Sequence, residues 1–343
     1  MRRLLNTLFV LTEDSYLALD GENIIVLCGD ETMGRFPLHT LESILYFGYK
    51  GASPALMGAC ADHGIGLCFL TPRGRFLART CGQTRGNVLL RKEQYRLSAD
   101  DAQSCRIARS MIAGKLYNAR WVLERATRDH GMRVNVEQLK QVSSALAQAA
   151  LTAADETNLD RLRGIEGEAA TLYFSVFDEL LLQNKEYFFF RVRTRRPPQD
   201  NVNALLSFTY SILANDCASA LEAVGLDPYV GFMHTDRPGR ISLALDMMEE
   251  LRPAFADRFV TTCVNNRIIL PEHFETSESG AVTLTGAGRR AFLSAYQERK
   301  KDQIQHPFLG EKIPWGLVPY VQALLLARYI RADMDAYPAF LWK

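Results

Sequence analysis

The rhythm of hydrophobic and polar positions changes near residue 90. Before that point, short apolar runs alternate with turn residues. Leu4 to Leu11, Tyr16 to Leu19, Ile24 to Leu27, Leu41 to Phe47 and Gly66 to Leu70 predict strands. Asp20-Gly21 between the second and third runs predicts a hairpin. Ser53-Pro54 opens, and Gly64 closes, one predicted helix over 53–63. From about Ala99 the pattern lengthens into helical periodicity rich in Ala, Leu, Arg and Gln. It predicts helices over 101–127, 136–154, 158–182, 203–222, 241–259 and 314–332, with a linker near 92–100. Two stretches break the pattern. The run 190–200 carries two prolines after arginines and reads as extended and exposed, and 276–288, rich in Ser, Thr and Gly, reads as a loop. Strands followed by helices, without alternation, predict an α+β chain. A small β-rich domain (1–92) precedes a larger all-helical domain (93–343), and no internal repeat is visible.

Composition sharpens this only slightly. Of 343 residues, 48% are hydrophobic and 23% charged, which is globular composition with room for a large core. A net charge of +1 neither requires nor excludes a polyanionic partner, because local patches matter more. The seven cysteines (28, 60, 68, 81, 105, 217 and 263) are odd in number and form no CxxC pair. A zinc ribbon or disulfide framework is disfavoured, and a cytoplasmic setting is expected. The apolar start ends too early, at Thr12 to Ser15, for a signal peptide, and no run is long enough for a membrane span.

Candidate chemistry lies in two places. Glu166 falls within a helical stripe of Leu159, Leu162, Ala169, Tyr173 and Val176. An unpaired carboxylate there is costly, so it needs a salt bridge, a cap or a functional cation. Asp246 lies three residues from Glu249 and four from Glu250, spacings that set acids on one helical face. That face is solvated, or neutralised by Arg252, or holds a cation. His234 precedes it in a polar turn, whereas His39, His63, His130, His273 and His306 have no such company. Carboxylates with one imidazole suit Mg²⁺ or Mn²⁺, ions that act on phosphate esters. P-loop, dinucleotide and Gly-x-Ser-x-Gly patterns are absent. Residues 73–96 carry a local charge of +6 through Arg73, Arg75, Arg79, Arg85, Arg91, Lys92 and Arg96 against Glu93. Residues 185–196 carry +4, with Arg191, Arg193, Arg195 and Arg196 after the aromatic run 187–190. Clustered arginines suit phosphate, or merely solubilise; a proline-stiffened loop favours the former.

With these residues in view, the chain resembles the CRISPR adaptation integrase family, the universal CRISPR-associated endonuclease and spacer integrase. Gly164-Ile-Glu-Gly167 with Ala169, Ala170 and Tyr173 resembles its glutamate motif. Arg195 to Pro198, Asn203 to Ser207 and Tyr210 resemble the following segment. Gly231 to His234, Arg237-Pro238, Leu245 to Glu249 and Arg252-Pro253 resemble its histidine and acid motifs. The likeness runs over essentially the whole chain and is most like the type I-C branch. It implies a dimerising, DNA-contacting β domain, a helical catalytic domain and a homodimer. It implies metal ligands at Glu166, His234 and Glu249, a supporting Asp246, and a basic Arg237 near the reacting phosphate. Asp236 stands where other branches have glycine. The resemblance further implies double-stranded DNA as substrate, as prespacer and as CRISPR repeat, a small ferredoxin-like partner, and in this branch an iron–sulfur nuclease. Arg193, Arg195, Arg196 and Arg237 are the expected DNA contacts. The expected reaction is attack of a DNA 3′-hydroxyl on a repeat phosphodiester. The rival readings are a stand-alone metal-dependent nuclease, a non-catalytic nucleic-acid-binding scaffold, and a small-molecule metallohydrolase, the last disfavoured by the basic segments.

Overall fold

A computed structural model describes residues 6–12, 14–72, 76–80, 82 and 88–343. Leu4, Arg73, Arg75, Cys81 and Arg85, which enter the expectations above, lie outside the described residues.

The first part is built from strands and one helix. β1 (Thr7–Val10), β5 (Ser43–Phe47) and β6 (Gly66–Leu70) run parallel, and β7 (Phe76–Arg79) adds antiparallel at the edge. β2 (Ser15–Asp20), β3 (Asn23–Cys28) and β4 (Glu31–Pro37) form an antiparallel meander. The β2–β3 pairing ends at Asp20 opposite Asn23, so Gly21-Glu22 is the loop. Gly21 takes the left-handed conformation, φ 58°, that this tight connection requires. α1 (Pro54–His63) crosses over between β5 and β6, as a parallel pair needs. The Ser53 hydroxyl accepts from the Leu56 amide at its start.

The second part is mainly helical: α2 (Val88–Ser98), α3 (Asp101–His130), α4 (Val136–Asp155), α5 (Leu159–Ser175), α6 (Asn201–Val224), α7 (Ser242–Glu249), α8 (Arg258–Asn265), α9 (Gly286–Lys301) and α10 (Val318–Ile330). Side-chain caps explain several starts. Asp100, Asn135, Asn158 and Asp200 each accept from backbone amides of the first turn of α3, α4, α5 and α6. α3 is the central rod, with α4 and α5 packed along it.

Several expectations need correction. The linker near 92–100 is instead helix α2, as far as Ser98. The helix expected over 241–259 is broken. α7 ends at Glu249, a π-helical segment runs over Arg252–Asp257, and α8 follows. Pro253 has no amide hydrogen to return to the Glu249 carbonyl, which disrupts the α-helical ladder there. The loop expected over 276–288 holds a turn between β8 (Phe274–Thr276) and β9 (Val282–Leu284), and α9 begins at Gly286. A second ribbon pairs β10 (Gln303–Gln305) with β11 (Lys312–Pro314). The C-terminal part is therefore helical with two small ribbons.

Alternation along β5 and β6 divides the core. Ile44, Tyr46 and Leu67 join Leu17, Ile24 and Leu56 in one cluster inside the β-rich part. Leu45, Phe47, Cys68 and Leu70 point the other way and join the large cluster of the helices. One sheet thus serves as a wall of both cores. Among the described residues six cysteines are free, and no helix is long and apolar enough to cross a membrane.

Candidate active site

The site forms where α3, α5, α7 and the loop before α7 meet. Asp246, buried on α7, organises that loop. Its carboxylate accepts from the amides of Phe232 (2.7 Å), Met233 (3.0 Å) and His234 (3.0 Å), and its Oδ1 lies 2.5 Å from His234 Nδ1. A carboxylate that accepts there places the ring proton on Nδ1. Nε2 faces Glu249 Oε1 at 4.0 Å. Gly231 is obligatory for this wrap. A Cβ on it would stand 2.8 Å from Asp246 Oδ2 and 2.8 Å from Ser242 Cβ. Arg163 ties α5 to the same loop, donating to the Met233 carbonyl at 3.0 and 2.8 Å. Glu166 lies one turn further along α5 and so is set beside the histidine loop.

Between the two glutamates stands Lys115 of α3, a residue the sequence reading missed. Its ammonium pairs with Glu166 and lies 2.7 Å from Glu249 Oε2. It is only 8% exposed. A lysine within the apolar run Met111 to Leu116 was the available signal: a buried cation must have an anionic partner. Burial disfavours its charge, but Glu249 and Glu166 outweigh that and raise its pKa. Arg252 Nη1 reaches Glu249 Oε1 at 2.9 Å. Burial alone would raise the Glu249 pKa; Arg252, Lys115 and His234 hold it well below the usual carboxylate range. The acid therefore stays ionised.

A second layer supports these groups. The Arg252 guanidinium lies 5.0 Å from the centre of the Tyr210 ring, and the Tyr210 hydroxyl donates to Asp257 at 2.5 Å. Burial pushes Asp257 up to about 6, against the hydrogen bonds from Tyr210 and Tyr173. An open cleft lies over this layer, lined by Lys115, Glu166, Arg195, Tyr210 and Arg252.

The expected residues divide on this geometry. Glu166, His234, Asp246 and Glu249 come together. Glu250, on the face expected to be acidic, points elsewhere: it accepts from the Tyr337 hydroxyl, the Phe340 amide (2.5 Å) and Gln322 (3.2 Å) and anchors the C-terminal tail. Of the basic residues, Arg195 faces the cleft and Arg196 is exposed. Arg193 turns inward instead. It donates to Asn203 Oδ1 (2.7 Å), Ser207 Oγ (3.0 Å) and the Thr194 carbonyl (2.5 Å), so it braces the loop. Arg237 sits exposed on the turn before α7.

The donor set fits a divalent ion. Two carboxylates and an imidazole gather around the Lys115 ammonium, whose place between Glu166 and Glu249 a divalent ion would take. Among the described residues no three such groups stand in coordination range as they are, because the Lys115 ammonium separates the glutamates.

A helical part behind a small β-rich part is an architecture this chain shares with solved structures of low sequence identity. A casposase bound to integration product superposes with TM-score 0.83, at 21% identity, over 98% of this chain and 94% of that one. A CAS1 protein from Thermotoga maritima, TM1797, does so with TM-score 0.81 at 21% identity, over 97% and 99%. A Cas6-RT-Cas1–Cas2 complex matches with TM-score 0.81 at 22% identity, over 98% of this chain and 36% of that one. Residues 8–298 match the family model of CRISPR associated protein Cas1. The chain is 47% identical to CRISPR-associated endonuclease Cas1 1 of Chlorobaculum tepidum and 50% identical to CRISPR-associated endonuclease Cas1 2 of Rhodospirillum rubrum, over the full length of both. It is 34% identical, over 97% of its length and 60% of the relative's, to a Cas4 exonuclease/Cas1 endonuclease fusion of Geobacter sulfurreducens. The chain belongs to the Cas1 family of CRISPR-associated endonucleases.

Proposed function

We propose that this chain is a metal-dependent DNA integrase of CRISPR adaptation. The observation that carries the reading is the gathering of Glu166 and Glu249 on one buried positive charge, with His234 Nε2 facing Glu249. Glu166, His234 and Glu249 would hold Mg²⁺ or Mn²⁺. When bound, that ion supplies Lewis-acid polarisation of a phosphoryl oxygen. Asp246 fixes the imidazole tautomer and its direction. Arg252 and Lys115 keep Glu249 ionised. Arg195 at the cleft and Arg196 beside it fit the DNA backbone, and Arg237 on its turn is a further contact. In the reaction a DNA 3′-hydroxyl attacks a repeat phosphodiester. The new P–O bond forms as the old one breaks, and the departing strand leaves with a 3′-hydroxyl. The protein positions the reactants and forms no covalent intermediate.

The same reading assigns residues 1–92 to dimerisation and DNA contact, and a small ferredoxin-like protein as partner. Relatives named as Cas4/Cas1 fusions and a neighbour named as a complex with Cas2 support such company. The partner nuclease would carry an iron–sulfur cluster, the motif pattern favours the type I-C branch, and the cysteine usage favours a cytoplasmic site.

The test is strand joining with Mn²⁺ and the partner subunit. Glu166→Gln and His234→Ala should lose joining of a labelled fragment to a repeat duplex and keep DNA affinity. Joining by either purified variant at the wild-type rate would refute the site. Cleavage without joining by the unmodified protein would favour a nuclease.

A further inference from the structure

Away from the cleft, all three tryptophans of the chain are paired with cations. Arg120 lies 5.2 Å from the centre of the Trp121 ring, and Lys343 Nζ 5.3 Å from it. Arg125 and Arg258 lie 4.6 and 4.3 Å from the Trp342 ring. Arg299, over Trp315, is also tied to Asp302 at 2.8 Å. The contrast with the arginines of the site is chemical. Arg163, Arg193 and Arg252 are hydrogen-bonded or ion-paired. Among the described residues, Arg120, Arg125 and Arg258 have neither a side-chain hydrogen bond nor a carboxylate within ion-pair distance. Their rings hold them in place while leaving their N–H donors uncommitted. Burial, then the neighbouring Arg299 and Arg125, lower the Arg258 pKa to about 10, against the opposing charge of Asp129.

The place of these residues matters as much. Arg120 and Arg125 lie five and ten residues beyond Lys115 on α3, about 7 and 15 Å along the helix axis. Arg258 directly follows Asp257, which lines the cleft. Trp342 is fixed by its amide, which donates to Asn118 at 2.7 Å, and Asn118 in turn donates to the Glu250 carbonyl at 2.7 Å. These cations are therefore carried by the same two elements that carry Lys115 and Asp257 of the cleft, and Trp342 is tied to them through Asn118.

We propose that Arg120, Arg125 and Arg258, seated on Trp121 and Trp342, form a second DNA-gripping face that binds the phosphates of the strand running out of the cleft. This rests on the reading of the cleft as a DNA-joining site. The rings are covered by their cations, so the face reads phosphate and not bases. An acidic protein surface is the competing occupant, and DNA is favoured because the same two elements carry the cleft.

The experiment compares the whole protein with R125Q/R258Q, measuring DNA binding by fluorescence anisotropy across a salt series. The probes are a long duplex, a short duplex confined to the cleft, and a single strand. On the long duplex the variant should lose about tenfold in affinity or more at physiological salt. Its slope of log affinity against log salt should shrink by about 2, one counterion for each lost phosphate contact. Whichever of the long probes loses slope identifies the strand form that is held. Short-duplex binding and cleavage should not change, and R125K/R258K should keep the slope. Should R125Q/R258Q fail to fold, Arg120→Gln serves instead, with an expected slope change of about 1. An unchanged slope on every probe overturns the proposal. So does an unchanged slope together with lost capture of the purified partner subunit, which would make the face a protein-docking surface. If the unmodified protein shows the slope but never joins strands, the reading of the cleft fails while this face stands.

Discussion

At the scale of single residues, the site turns on Lys115. Two glutamates drawn together in a buried place repel each other, and this ammonium makes the arrangement tolerable. Removing one partner of a buried ion pair leaves uncompensated charge and costs about 3–5 kcal/mol. Lys115→Met should therefore lower stability by about 3 kcal/mol in metal-free buffer, as read by urea unfolding. Added Mn²⁺ should recover part of the loss, because a ligand that binds only the folded state stabilises it. A wild-type urea midpoint in the variant would show that the lysine does not support the acids. Glu250, one residue past Glu249, illustrates how little adjacency means. Burial pushes its pKa up to about 7 although Tyr337, the Phe340 amide and Gln322 donate to it. With the unfolded value near 4.5, the folded form holds its proton longer over that interval. Stability from this group is then full below about pH 4.5 and is lost as pH rises through 7. Measured as the difference from Glu250→Gln, so that other titrations cancel, the wild type should weaken by about 3 kcal/mol between pH 4.5 and 8. A flat difference would mean that Glu250 titrates normally.

At the scale of elements, the loop before α7 and the π-helical segment after it set the acids in place. Asp246 gathers three backbone amides and the imidazole, which demands a close approach at Gly231. Gly231→Ala should cost about 1–3 kcal/mol by overpacking. Its larger effect should fall on strand joining, since the histidine loop must lift off α7. Full activity with an unchanged melting temperature would show that the loop has slack. Much of this was readable beforehand. The apolar stripe of α5 marked Glu166, because a carboxylate between Leu162 and Ala169 needs a reason. The i, i+3 spacing marked Asp246 with Glu249. Elements with weak signals were missed. α2 and α9 are dense in charge, and the strands of the two C-terminal ribbons are three residues long, too short for a period to show. The break at Pro253 was legible in principle, since proline ends or distorts a helix that reaches it.

At the scale of the whole molecule, the β-rich and helical parts are joined through the shared sheet. Leu45, Phe47, Cys68 and Leu70 lie in the helical core, and Arg79 pairs with Glu222 of α6. Lys300 of α9, nearly buried, reaches Asp216 at 3.6 Å and Thr7 of β1 at 3.3 Å. Cutting the chain at 92 would expose that sheet face on one side and its helical seat on the other. The fragment 93–343 should bind a hydrophobic dye and melt well below the intact chain, which should unfold in one calorimetric transition. Two separate transitions in the intact chain would show that the shared wall carries little coupling.

Sequence by itself determined the change from strands to helices near residue 90, the hairpin at Asp20-Gly21 and the candidacy of Glu166, His234, Asp246 and Glu249. These follow from period, turn chemistry and the rule that a buried charge needs a partner, all of which act within a few residues. Tertiary structure alone decided that Lys115 lies between the two glutamates, that Glu250 serves the C-terminal tail while Glu249 serves the cleft, and that Arg193 faces inward. Those outcomes depend on side chains from segments dozens of residues apart, and local pattern contains no distance between them.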